Sequence, residues 1–239
     1  MSKIELDISV PKNLSGITVQ QYQEYAKLWE DNKEVEDYEF INKKTLEIFC
    51  GLDLKESYKI PINTFDSILR HINDCFNEDK PFINRFKMIS KEGVSVEFGF
   101  EPSLDKISYG AFKDAENYMR DVKDLHRLMA VLYRPVIKDI STKHHYRIAE
   151  YEGSDNFSEV MKDAPVNVAL GMQVFFYRLG TKLSKYTMDS LMEQAKLTTN
   201  KEGKQLLEEN GEIISRFYAS HKTMYEDLTK SQSFHYTNV

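Results

Sequence analysis

Apolar residues recur at helical spacing through the first third of the chain. Thr18 and Gln21 have the spacing of a capping box, in which side chains of a helix's first turn bond its free backbone N–H groups. A second helix is predicted to end at Gly51, since glycine is favoured at helix C-termini. Thr64 is predicted to cap a third helix, whose apolar stripe is Phe65, Ile68, Leu69, Ile72 and Phe76. These patterns predict a small helical subdomain over residues 18–80.

The apolar period changes from helical to alternating after residue 80. One apolar set alternates with polar residues or glycine, as in a strand with one buried face: Val94, Val96, Phe98 and Phe100. The segment 85–90 precedes it across a turn at residues 91–93, so the pattern predicts one β-hairpin. An isolated hairpin is marginally stable in water, and we therefore expect this one to pack on helices or to join another chain's sheet.

Helical spacing returns after the hairpin. Apolar residues between 115 and 133 form one stripe, which predicts a single long helix ended by Arg134 and Pro135. An irregular stretch over residues 136–153 is expected to follow. After it, a short amphipathic helix is predicted around Phe157, Val160 and Met161.

The last part of the chain is predicted to be helical as well. The segment 166–183 is apolar on nearly every side, which is typical of a buried helix, with Pro165 in its first turn and Gly180 at its end. A short helix is expected over residues 187–197. A final helix over 203–229 would reach roughly 40 Å, more than a small core can cover, so part of it is expected to face a neighbour.

These elements together predict a mainly α protein, a helical bundle with one β-hairpin. The predicted organisation is an extended N-terminal arm (1–17), a helical subdomain (18–80), a hairpin-plus-helices core (81–200), a long C-terminal helix (201–230) and a tail (231–239).

Composition narrows the function classes. The 239 residues include 32 Lys and Arg against 38 Asp and Glu, a formal net charge of −6, which disfavours a general nucleic-acid binder. Hydrophobic residues make up 41%, enough for a packed core.

Two cysteines, Cys50 and Cys75, are too few for a disulfide framework. The N-terminus lacks the apolar region of a signal peptide, and no apolar stretch reaches the length of a membrane span, so we expect a soluble protein.

The sequence contains no motif for phosphate binding, for a serine nucleophile or for zinc binding. His71 and Cys75 lie one helical turn apart, but a zinc site needs three or four ligands, so a structural role is favoured. His144 and His145 are adjacent and would point to opposite sides of an extended chain, which also favours a structural role.

Asp121 and Asp124 are three residues apart and could face one cation. Lys123 and Arg127 lie close enough to offset that charge, so a solvated helix face is the favoured interpretation. We therefore predict no catalytic residue, no cofactor and no metal, and we expect the protein not to be an enzyme.

Several segments occur together in an order that is typical of one family. They are residues 98–104 (Phe-Gly-Phe-Glu-Pro-Ser-Leu), 107–112 (Ile-Ser-Tyr-Gly-Ala-Phe), 125–135, which ends in Leu-Tyr-Arg-Pro, 150–153 (Glu-Tyr-Glu-Gly), 168–171 and 175–176. Over roughly residues 40–185, the chain resembles a poorly characterised family encoded by tailed phages of Bacteroidota, including crAss-like phages. The resemblance implies a virion structural or assembly protein, and it carries no active-site residues.

Three roles are compatible with this resemblance. The first is a head-to-tail connector, a ring or adaptor assembled in many copies that contacts portal or tail proteins. The second is a tail-assembly chaperone absent from the mature particle, since residues 45–52 and 59–61 resemble the helix–Gly-Leu–helix–Pro element of such chaperones. The third is an internal cargo protein carried in the capsid or tail.

The expected functional surfaces are interfaces with other proteins. They are the arm 1–17, the exposed side of the helix 203–229 and the tail segment Phe234–Tyr236. We expect self-association, a place in the virion and in the bacterial cytoplasm during assembly, no membrane partner and no sequence-specific nucleic acid. A ring around DNA could still turn a basic loop toward it: Lys143, His144, His145 and Arg147.

Overall fold

The structure is a computed structural model that describes residues 8–34, 38–89, 93–142 and 145–197. Over these ranges the chain is mainly helical, as the sequence predicts. The helices are α1 (Val19–Asp31), α2 (Tyr38–Cys50), α3 (Leu54–Ser57), α4 (Ile62–Asn77), α5 (Tyr109–Tyr118), α6 (Leu125–Leu132), α7 (Asp155–Lys162) and α8 (Val166–Leu197). The strands are β1 (Arg85–Ile89), β2 (Ser95–Phe100), β3 (Tyr133–Thr142) and β4 (His145–Ile148).

The strands form one antiparallel sheet in the order β1-β2-β3-β4. The predicted hairpin corresponds to β1 and β2, which pair with Phe86 opposite Phe98. The prediction of a single hairpin is nevertheless wrong, because the segment 136–153, expected to be irregular, contributes most of β3 and all of β4. Strand β3 pairs with β2, with Pro135 opposite Phe98. The second strand of the hairpin is therefore covered by a strand of the same chain.

The single long helix predicted over residues 115–133 is also wrong. Helix α5 ends at Tyr118, and Asp121 then starts a short 3₁₀ turn by accepting a hydrogen bond from the Lys123 N–H at 3.0 Å. Helix α6 begins at Leu125 and is followed directly by β3. The apolar residues of the predicted stripe are divided between the two helices, and each helix buries its own apolar face.

Local signals at helix ends are mostly confirmed in the first third. The Thr18–Gln21 capping box forms with reciprocal hydrogen bonds of 3.1 and 2.9 Å. Helix α2 stops before Gly51, whose φ of 69° is costly for a residue with a side chain. The predicted cap at Thr64 is wrong, since α4 begins directly after Pro61. Helix α3, which Asp53 caps, is not predicted by the apolar spacing; only the resemblance of residues 45–52 and 59–61 to the helix–Gly-Leu–helix–Pro element implies a helix at this place.

Helix α8 is continuous for 32 residues, about 48 Å. It runs through Gly180, so the predicted end at that glycine and the separate helix over 187–197 are both wrong. The prediction of a buried helix is confirmed for its first part, where Val166, Val168 and Met172 are almost fully buried. Along α8, the first exposed residue is Arg178.

The described residues form two compact units. Unit 1 contains residues 8–79 and 83–169, and unit 2 contains residues 80–82 and 170–197. Helices α1–α7 and the sheet therefore lie in unit 1. Helix α8 begins in unit 1 and continues into unit 2.

Two aromatic groups fill the core of unit 1. One joins Tyr25 to Phe49 and Phe76, with ring centroids 5.2 and 5.9 Å apart, and so ties α1 to α2 and α4. The other lies on the apolar face of the sheet: Phe86, Phe98, Phe100 and Tyr133.

The part of the N-terminal arm that the structure describes belongs to unit 1 and packs against its other elements. Leu14 and Ile17 are buried, and Thr18 forms an isolated antiparallel bridge with Pro165. The Val19 N–H donates to the Ala164 carbonyl at 2.9 Å, and the Val166 N–H donates to the Ile17 carbonyl at 2.8 Å. Residues 11–18 are therefore an integral part of the fold.

Candidate functional site

A buried ion pair lies behind the sheet, on the side opposite the aromatic core. Arg134 is opposite Gly99 in the β2–β3 register, so its side chain lies on the other face from Phe98. Its guanidinium Nη2 bonds the carboxylate of Glu101, and Nη1 donates to the Ala149 carbonyl at 3.0 Å. The two side chains are only 7% and 13% exposed. Burial makes the pair sensitive to the loss of either partner.

Tyr146 of β4 covers the same face of the sheet. Its ring lies over Gly99, and its hydroxyl donates to the Phe100 carbonyl at 2.6 Å. The Arg85 guanidinium lies 5.2 Å from the ring centroid and pairs with Glu97 at 2.7 Å. The Tyr146 hydroxyl is protonated at neutral pH, as an ordinary phenol is, and burial raises its pKa further.

Tyr151 extends the cluster toward α5. Its hydroxyl donates to the Asp114 carboxylate, and its ring lies 5.9 Å from the guanidinium carbon of Arg134. Burial, and then the neighbouring Asp114 carboxylate, raise the pKa of Tyr151 well above its usual range. Next to it, the Ser154 hydroxyl donates to the Tyr118 oxygen at 3.3 Å.

These contacts join segments that are far apart in the chain. The ion pair connects the end of β2 to β3, Tyr146 connects β4 to β2, and Tyr151 connects the loop before α7 to α5. The guanidinium and both phenols act as donors to fixed carbonyl or carboxylate acceptors. The arrangement is therefore suited to holding the sheet and helices in one geometry, and we name it the Arg134 cluster (Glu101, Asp114, Arg134, Tyr146 and Tyr151).

The first candidate metal pair from the sequence lies on α4. Cys75 Sγ is 3.8 Å from His71 Nε2, so the two side chains do meet, as their spacing predicts. His71 Nε2 is also 2.9 Å from the Pro11 carbonyl oxygen, which makes it a donor to the arm. Across the part of the chain that the structure describes, no group of three His, Cys, Asp or Glu side chains could hold a metal ion.

The acidic pair between α5 and α6 is compensated by neighbouring cations. Asp121 pairs with Lys123 at 2.8 Å, and Asp124 lies 3.7 Å from Arg127. The side-chain hydrogen bond from Lys123 lowers the pKa of the Asp121 carboxyl. This confirms the prediction that Lys123 and Arg127 offset the two carboxylates.

Several predicted site residues lie outside the described ranges. They are Lys143, His144, the side chain of His145, the segment 203–229 that is predicted to be helical and the segment Phe234–Tyr236, together with residues 1–7 of the arm. Arg147 of the basic loop lies in β4 and is exposed.

Large apolar side chains are exposed at places where the sequence predicts no functional surface. Tyr109 and Phe112 lie one turn apart at the start of α5 and are 77% and 51% exposed. Ile89 at the end of β1 is 76% exposed. Nothing in the local sequence distinguishes these residues from core residues, because their exposure depends on which helix face the fold buries.

No family model, curated protein or solved structure matches the chain. Among the described helices, none combines the length and the apolar character needed to cross a bilayer. A proposal about function therefore rests on the residues of this chain alone.

Proposed function

We propose that the chain is a non-enzymatic structural protein of a tailed-phage virion, most simply a ring or adaptor at the head-to-tail junction that is present in many copies. The observation that carries the proposal is the ordered set of segments between residues 98 and 176 that resembles the crAss-like phage family. Three of these segments meet in the Arg134 cluster through Glu101, Arg134 and Tyr151. The resemblance therefore concerns residues that hold the fold together.

The exposed apolar residues of α5 support an interaction role. Tyr109 and Phe112 belong to the segment 107–112, which is part of the resemblance, and both side chains lie largely in solvent. Neighbouring exposed aromatics favour a protein contact, because aromatic residues are enriched in the buried centres of interfaces. A protein with many copies must provide such a surface on every copy.

The mass of the purified chain in solution tests the proposal directly. Light scattering and native mass spectrometry are expected to show a closed oligomer, or a monomer that forms one with the phage's portal or tail protein. Purified virions are expected to contain the chain in many copies. Absence from virions, together with capture of an apolar segment of a tail protein, would instead identify an assembly chaperone.

A pair of variants tests the α5 surface. The double substitution Tyr109→Ser/Phe112→Ser is expected to weaken assembly without changing the melting temperature, since both side chains are largely exposed. Tyr186→Ser is the matched control, because Tyr186 is 72% exposed on α8 and lies outside the segment 107–112. Equal assembly of both variants would exclude α5 from the interface.

A further inference from the structure

Strand β1 forms one edge of the sheet among the described strands. The Phe100 N–H donates to the Asn84 carbonyl at 2.8 Å, which sets the hydrogen-bonding alternation along β1. Phe86 and Met88 then direct their backbone groups toward β2. The backbone groups of the intervening residues, including Lys87 and Ile89, point away from the sheet. No described strand pairs with this outer edge, so it can accept another strand.

The side chains of β1 show what such a strand must provide. Phe86 and Met88 lie on the aromatic face, where Phe86 is half-buried and Met88 is already buried, so apolar neighbours suit both positions. Lys87 lies on the opposite face, is exposed and forms no ion pair with any described residue. Its cross-strand neighbour Glu97 is engaged by Arg85 at 2.7 Å. The edge therefore calls for a strand with apolar residues on one face and acidic residues on the other.

The chain's own N-terminal sequence has this pattern. Residues 3–8 read Lys-Ile-Glu-Leu-Asp-Ile, with strict alternation of charged and apolar side chains, as in a half-buried strand. The segment precedes an anchor on unit 1, where His71 contacts the Pro11 carbonyl and Leu14 is buried. Residues 8–10 connect that anchor to the segment 3–7 and span roughly 10 Å when extended, so the acceptor edge of the neighbouring copy must lie close to the anchor.

We propose that residues 3–7 of one copy add to the outer edge of β1 in a neighbouring copy as an antiparallel strand. With Leu6 opposite Phe86, Ile4 lies opposite Met88 on the apolar face. Glu5 then lies opposite Lys87, and Asp7 lies opposite Arg85. Each residue from 4 to 7 then lies opposite a residue that it suits, apolar opposite apolar or acidic opposite basic. The antiparallel direction continues that of the whole sheet.

We assign the strand at this edge to a neighbouring copy, because every copy carries both a segment that can donate a strand and an edge that can accept one, on two different surfaces. A donor surface that fits a distinct acceptor surface gives a head-to-tail contact, and such contacts form a ring where the rotation between copies closes. The inference therefore rests on the proposed multi-copy assembly and names one contact between copies, in addition to the α5 surface. Main-chain hydrogen bonds would supply the affinity, and the alternating side chains would supply the register.

Disulfide trapping between separate chains tests the contact. Glu5→Cys and Lys87→Cys chains are mixed under mild oxidation, so that a bond between them can only be intermolecular. In the proposed register this pair has a Cα separation of about 5.5 Å, within disulfide range. A covalent dimer is expected for this mixture. The wild type with its native Cys50 and Cys75, and the Asp7→Cys plus Lys87→Cys mixture, are expected to give little. Dimer formation only with Asp7→Cys would overturn the antiparallel register.

A charge exchange provides a second, independent test on the full chain. Lys87→Glu places like charges together and is expected to weaken association about fivefold. Adding Glu5→Lys to that variant is expected to restore it. Lys182→Glu, the same change at an exposed lysine of α8, is the matched control and is expected to have no effect.

The outcomes separate this inference from the proposed function. If the wild type assembles and a variant lacking residues 2–7 assembles equally well, the strand contact is wrong and the structural role stands. If the Glu5→Cys/Lys87→Cys double variant closes only within single chains, the arm covers its own edge and the contact between copies is wrong. If the wild type never assembles, even with portal or tail protein, the proposed function itself fails.

Discussion

The ring of Tyr146 occupies the space above Gly99 that a side chain would need. A Cβ placed on Gly99 would overlap Cε2 of that ring and lie 2.9 Å from Cδ2, closer than real Cβ contacts. The ring cannot easily move, because its hydroxyl is fixed to the Phe100 carbonyl at 2.6 Å and the side chain is buried. Because Gly99 has no side chain, the Tyr146 ring of β4 can pack on this face of the sheet.

Gly99→Ala is expected to lower the free energy of unfolding by about 1–3 kcal/mol, because the added methyl must displace a buried, hydrogen-bonded ring. Urea denaturation measures the change. Gly110→Ala is the control, since a Cβ there meets only Tyr151 at 3.9 Å, and alanine favours the helix. A Gly99→Ala variant as stable as the wild type would show that the Tyr146 ring is free to shift.

Gly171→Ala is expected to disturb unit 2. A Cβ at Gly171 would overlap the Pro81 carbonyl oxygen and lie 3.0 Å from its carbon, and backbone atoms cannot rotate away. We expect a loss of about 1–3 kcal/mol in thermal or urea unfolding. Gly180→Ala on the same helix meets no atom within 4 Å and is expected to stabilise α8 slightly. Equal behaviour of the two variants would contradict the close approach of Pro81.

Glu101→Ala removes the buried partner of Arg134 and is expected to cost about 3–5 kcal/mol, because the guanidinium is left buried and uncompensated. Chemical denaturation gives the value. Glu47→Ala provides the comparison, since its pair with Lys44 is considerably more exposed and is expected to contribute less than about 1 kcal/mol. Similar losses for both variants would mean that burial does not determine the strength of the Arg134 cluster.

His126 is expected to make stability depend on pH. The Gln23 amide nitrogen lies 3.0 Å from His126 Nδ1 and 2.7 Å from the carbonyls of Val122 and Lys123, which suits a neutral, accepting ring. Burial, and then the charges of Lys162 and Arg127, lower the pKa of His126 from 6.5. Glu159 and Asp124 act in the opposite direction with smaller effect.

Because the folded pKa of His126 is lower, the unfolded chain binds the proton more strongly. His126 therefore costs no stability at pH 8, and stability falls as the pH drops through 6.5, levelling off below the folded pKa. Denaturation midpoints between pH 8 and 5 measure this fall. The variant His126→Gln is expected to show a smaller decline, and an unchanged decline would assign the effect to other groups.

Two helix ends of the first third could be predicted because their signals are local. The Thr18–Gln21 capping box and Gly51 act within one turn of the helix that they limit. Strand β3 was missed because Pro135 resembles a helix stop, whereas it pairs within the sheet opposite Phe98. A shift of register between Val136 and Lys138 also breaks the alternation by which a strand is recognised.

The Arg134 cluster could not be predicted from the sequence. Glu101 and Arg134 are 33 positions apart, and neither residue type indicates burial by itself, since charged residues usually lie in solvent. Only the pairing of β2 with β3 brings them to one face of the sheet. The exposure of Tyr109 and Phe112 has the same origin, because the fold buries a different face of α5, which includes Ala111 and Ala115.

The bridge between Thr18 and Pro165 sets a late step in the biosynthesis of the protein. At 5–20 residues per second, the ribosome needs roughly 7–30 s to make the chain between them. Until then, the backbone groups of Ile17 and Val19 have left the ribosome without the partners that they bond in the folded protein. The N-terminus of α1 is therefore translated early but bonded to its partners only after residue 166 is made, so a chain released before residue 166 cannot complete unit 1.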